Sequence, residues 1–88
     1  MRAALDFPGP DPRGEIPPYL QVAGVIERAI RDGSLAPGQV LPSWGDLSRM
    51  SGYGRTTIRK AMVVLRGKGL VYSIATRSTY VSRDIPGQ

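Results

Sequence analysis

The stretch "GYGRTTIRKAM", residues Gly52 to Met62, sets the frame in which the rest of the chain is read. Two glycines bracket Tyr53 in a tight turn, and a helix starts near Arg55. Ile58, Ala61, Met62 and, one turn on, Leu65 share one face of that helix, a stripe suited to core packing. Thr56, Lys60 and Val63 point the opposite way. Arg59 and Arg66 lie on one flank and Thr57 on the other. Arg55, Thr56, Thr57, Arg59 and Lys60 fall within six positions with no acid among them. A solvated helix face commonly mixes both signs, and this one does not.

The same bias extends well beyond the helix. Between Asp46 and Asp84 there is no acidic residue, yet Arg49, Arg55, Arg59, Lys60, Arg66, Lys68, Arg77 and Arg83 lie there. The formal net charge of +5 is therefore concentrated in the C-terminal half, the footprint of a surface that meets a polyanion. At 88 residues the chain makes one small domain with a modest core. It holds no cysteine and no histidine, which excludes a disulfide scaffold and any Ser-His-Asp or Cys-His constellation, so we expect no enzyme, no cofactor and no metal. The longest apolar run, "AMVVL" at 61–65, is too short to span a bilayer or serve as a signal peptide, and the expected location is the cytoplasm, on the nucleoid.

Working outward, "LAPGQVLPS" separates the central stretch from an earlier helix. Tyr19, Val22, Ala23, Ile26, Ala29 and Ile30 follow a 3.6-residue period from Pro18, and Gly33 suits the left-handed position that ends a helix. Val40 and Leu41 are candidate strand residues. Ser43 is a candidate N-cap with Asp46 as its capping-box partner, opening a short helix from Trp44 to Ser51. After Gly69, "LVYSI" and "STYVS" read as a hairpin joined through Ala75, Thr76 and Arg77. The expected fold is mainly α with a small β-wing: a winged helix-turn-helix of three helices, a short strand and a C-terminal β-hairpin. The expected organisation is a flexible, Pro- and Gly-bearing arm over 1–16, the domain over 17–83 and a polar tail over 84–88.

In a helix-turn-helix the second helix of the pair enters the major groove, led by its N-terminal residues. Arginine can grip guanine O6 and N7 with two parallel bonds, and threonine can bond a phosphate or pack its methyl on thymine. Arg55, Thr56, Thr57 and Arg59 are thus the candidate base readers. Ser43, Arg49, Lys60, Arg66 and Arg77 are the candidate phosphate contacts. Trp44 with Met50 has two readings: Trp44 completes a small core against the first helix or the wing, or the pair forms an apolar patch for self-association or a protein partner.

"PPYLQVAGVIERAIRDGSLAPGQVLPS" and "DLSRMSGYGRTTIRKAMVVLRGKGLV" resemble the DNA-binding domain of the GntR family of bacterial transcription regulators, from about Pro17 to Val81. That resemblance implies operator binding by a dimer on a palindrome, with Arg55, Thr56, Thr57 and Arg59 at the family's DNA-contacting positions. The chain departs from the family at "LPSWGDLS", where "LPSERELA" is common, so Gly45 replaces an arginine that contacts DNA and Trp44 replaces the neighbouring glutamate. The wing tip lacks the family's glycine. Ser51 stands where a buried aromatic is common, and Tyr53 is expected to fill that space from the turn. Family members continue into a C-terminal domain that binds a small effector and dimerises. This chain ends at Gln88, and we expect a repressor without that domain, controlled by abundance, self-association on DNA or a protein partner. Two other functions compatible with the sequence are an architectural or recombination-accessory protein with little sequence preference, and a winged-helix protein-interaction module that has abandoned DNA.

Overall fold

A computed structural model describes residues 5, 7, 13–74 and 78–85. Three helices, α1 (Pro18–Arg31), α2 (Trp44–Ser51) and α3 (Arg55–Gly67), precede an antiparallel hairpin of β1 (Val71–Ile74) and β2 (Ser78–Val81). Each boundary has a local cause. Pro18 sits at the first turn of α1, where its missing N–H costs nothing, and Gly33 takes φ +88° just past the end. Ser43 caps α2 by accepting the Asp46 N–H at 3.0 Å. The reciprocal half of the expected capping box does not form, because the Asp46 carboxylate turns to the guanidinium of Arg49 one turn along. Gly52 ends α2 in the left-handed region at φ +81°, and Gly69 follows α3 at φ +76°.

Every residue of the expected stripe, Ile58, Ala61, Met62 and Leu65, is buried. They meet Val22, Ala23, Ile26, Ala29 and Ile30 of α1, Leu47 of α2, and Leu70, Val71 and Val81 of the wing in one core. The hairpin pairs Val71 with Val81 and Ile74 with Ser78, and the Tyr72 and Tyr80 rings stack at 5.5 Å. Val40 makes an isolated bridge to Tyr80. Gly38 and Leu41 N–H groups donate to Val81 and Thr79, both at 2.8 Å, so the expected short strand lies along the free edge of β2.

Two apolar residues ahead of α1, Leu5 and Phe7, are half-buried against the core, as is Ile85 in the tail. The arm expected over 1–16 thus places two apolar side chains against the core. A short Pro-rich segment has too few apolar residues to fold by itself, but the core supplies a surface on which they pack. The wing-tip residues 75–77 lie outside the described residues.

An ionic clip ties the end of α1 to the end of α3. Glu27 accepts Arg31 Nε at 2.9 Å and Lys68 Nζ at 2.9 Å. These bonds, first from Lys68 and then from Arg31, hold its carboxyl below the ordinary value of 4.5. Because the folded value is depressed, the clip contributes fully above the unfolded glutamate value and is lost as pH falls through the lower folded value. Glu27→Gln is expected to cost about 0.5–1 kcal/mol at neutral pH, the scale of an exposed pair. Urea unfolding of both proteins should show that difference vanish once the pH lies below the folded Glu27 value. A gap that persists there would mean the loss is one of packing.

Candidate nucleic-acid interface

At 100° per residue, Arg55, Arg66, Arg59, Val63, Thr56 and Lys60 fan across an arc of roughly 140° of α3. All six are exposed. None of the four cations is in an ion pair among the described residues. The residue before the helix, Gly54, has no side chain to cap it, and no acid lies in the first turn. Its leading N–H groups thus stand free beside Arg55, an arrangement that favours an anion.

The angle at which this helix stands out from the domain is set at the turn. Gly52 reverses the chain, the Ser48 hydroxyl donates to the Tyr53 carbonyl, and the Tyr53 N–H donates to Ser51 Oγ at 3.2 Å. The Tyr53 ring packs on the core and its hydroxyl donates to Gln21 Oε1 at 3.1 Å on α1. The turn is thereby anchored to α2 through Ser48 and Ser51 and to α1 through Gln21.

The structure separates the other candidates. Thr57 lies past the edge of the exposed arc and is half-buried beside Ala61, so it is the least accessible of the four expected base readers. Ser43 is exposed at the start of α2, its oxygen already accepting the cap bond. Arg49 is exposed but paired with Asp46, which offsets the charge it presents. Arg77 lies outside the described residues. Trp44 is 37% exposed and Met50 46% exposed. Six positions apart on one helix they diverge by about 120°, a spacing that does not stack them in one stripe.

Two features escaped the sequence. Tyr19 has the core-facing period of α1, yet it is only half-buried, and Lys60 Nζ stands 5.9 Å from its ring centroid. Together with Thr56, Arg59, Lys60, Val63 and Val64 it lines an open cleft of about 420 Å³ between α1 and α3. The signal was a tyrosine in the first turn of an otherwise aliphatic stripe. The second feature is the approach of Arg55 to Gly45, for which the sequence holds no signal because the two are ten residues and one turn apart.

Among the described residues no group of acidic side chains is placed to hold a metal ion, and no helix is long and apolar enough to cross a membrane. A helix-turn-helix presenting a cationic, uncapped second helix, backed by a hairpin wing, defines a DNA-binding domain of a transcription regulator rather than an enzyme. Comparison with known proteins agrees. Residues 18–81 match the family described as bacterial regulatory proteins, gntR family, and the chain belongs to that family.

Among curated relatives, the chain is 42% identical over 55 residues to the HTH-type transcriptional regulator GgaR of Escherichia coli, covering 62% of this chain and 22% of that protein. It is 35% identical over 68 residues to the HTH-type transcriptional repressor NagR of Bacillus subtilis, covering 77% of this chain and 28% of the relative. It is also 42% identical over 62 residues to the Glc operon transcriptional activator of Escherichia coli, covering 70% of this chain and 24% of the relative. The chain thus spans less than a third of the length of these relatives. Among solved structures, the AraR DNA-binding domain in complex with operator superposes with TM-score 0.76 at 34% identity, covering 93% of this chain and 99% of the other. YtrA from Sulfolobus acidocaldarius, a GntR-family transcription factor, gives TM-score 0.79 at 29% identity, covering 93% and 84%.

Proposed function

We propose that this domain binds operator DNA sequence-specifically, as a dimer on a palindrome, and represses by occupying the site. Arg55, Thr56 and Arg59 read base edges in the major groove with Thr57 at the margin. Ser43, Lys60 and Arg66 hold phosphates, with a smaller part for the Asp46-paired Arg49 and with Arg77 contributing from the wing. The observation that carries this reading is the exposed arc of α3, with four cations and no acid on it. The relatives include two named as repressors, NagR and the mannosyl-D-glycerate system repressor MngR of Escherichia coli, beside the Glc operon activator, and the repressing role follows the first two.

Affinity for the region upstream of the protein's own gene, measured against random duplex of equal length and at fixed salt, tests the reading. A preference of about a thousandfold or more is expected of a specific regulator. A ratio near one would favour an architectural protein that coats DNA, and absence of binding to any duplex at low salt would favour a protein-interaction module.

Lys60 stands at the edge of the arc, beside Tyr19 and away from Arg55, where the phosphate backbone rather than a base edge passes. Lys60→Ala is expected to weaken binding to operator and random duplex alike, and to reduce the slope of log affinity against log salt by about one. A loss confined to operator would move Lys60 among the base readers.

A further inference from the structure

Gly45 is the second residue of α2. Helix interiors disfavour glycine relative to alanine, because glycine gives up more backbone freedom on folding. Nothing in the local backbone requires it: the glycines with positive φ are Gly14, Gly33, Gly38, Gly52 and Gly69. What surrounds Gly45 does distinguish it. A Cβ placed there would lie 3.3 Å from Arg55 Nη2 and 3.9 Å from Ser43 Oγ. The Arg55 guanidinium, issuing from the first residue of α3, therefore folds back over bare backbone at the start of α2. Gly52, in the turn between, has no such neighbour: apart from the residues next to it in the chain, no heavy atom lies within 4 Å of the position its Cβ would take.

We propose that Gly45 is a positioning residue for DNA specificity, acting through Arg55. With no side chain at Gly45, the planar guanidinium settles against α2, and that seat aims its fork of donors at one base step beside the phosphate near Ser43. A Cβ at position 45 would require the guanidinium to give by a few tenths of an ångström, enough to unseat it from the bare backbone. The displaced atom is the far end of a flexible chain, so the displacement costs the fold little and changes what Arg55 meets. The proposal rests on Arg55 contacting DNA, as put forward above.

The test compares the full chain, Gly45→Ala, Arg55→Ala and the double variant by selection from randomised duplex, together with their melting temperatures. Gly45→Ala should melt no lower than the parent, since alanine is the better helix former. It should change base preference by about tenfold at the one position that Arg55→Ala relaxes, leaving the other positions intact, on the scale of one bidentate contact. In the Arg55→Ala background, Gly45→Ala should change nothing. An unchanged preference in Gly45→Ala, or the same change with and without Arg55, overturns the proposal. A parent chain that shows no base preference at all would overturn the operator-binding function and this inference with it, whereas a specific parent with an unresponsive position 45 overturns this inference alone.

Discussion

Replacing Leu47 with alanine is expected to destabilise the domain by about 2–5 kcal/mol, the cost of a lost side chain plus the cavity it leaves. Leu47 is the one buried residue of α2 and is 0% exposed. The helix has only 8 residues, too few to be stable alone, so its position against α3 rests on that side chain, on the Ser43 cap and on the Gly52 turn. A domain of this size has roughly 5–10 kcal/mol in total, so the loss is a large share. Thermal unfolding should shift down by at least ~8 °C, at about 4–8 °C per kcal/mol. Leu47→Met, which keeps most of the volume, should cost less than about 1.5 kcal/mol and retain DNA binding. A Leu47→Ala protein melting within about 2 °C of the parent would mean that α2 is held by something other than its core contact.

The second large effect is local to DNA. Arg59→Ala should cost about 1–3 kcal/mol on operator, a five- to more than hundredfold loss, while relaxing preference at a single position. Arg59 lies within the cationic arc, one turn beyond Arg55 and about 40° round the helix from it, with its guanidinium in no ion pair among the described residues. It carries none of the core, so the melting temperature should hardly move. Arg59→Lys should restore part of the affinity for random duplex but not the base preference, because an ammonium cannot form the planar two-bond fork. Equal losses on operator and random duplex for Arg59→Ala and Lys60→Ala would sink the division between base and phosphate contacts.

Leu47 and Arg59 differ in how far they could be read in advance. Leu47 sits in a short helix with a single buried residue, and eight positions hold too little periodicity to show which apolar side chain faces inward. Trp44 and Met50 were equally hydrophobic candidates. Arg59 was legible because a 13-residue helix with Ile58, Ala61, Met62 and Leu65 inside leaves only one direction for it. The same logic placed Thr56 and Lys60 outward and Thr57 on the flank, where it is half-buried.

The helices, their ends and the hairpin were present in local signals. Pro18, Gly33, Ser43, the Gly52–Gly54 turn and Gly69 act on their own backbone or on partners within four residues, and a 3.6-residue stripe is a property of consecutive positions. The contacts that join one element to another were not. Tyr53 reaching Gln21, Lys68 reaching Glu27, Lys60 over Tyr19, and Leu5 and Phe7 on the core all depend on how helices cross, which no spacing encodes. Arg55 over Gly45 is the sharpest case. Each residue has an ordinary reason to be where it is in the chain, and their relation exists only because α2 and α3 meet at the angle that Gly52, Tyr53 and Leu47 impose.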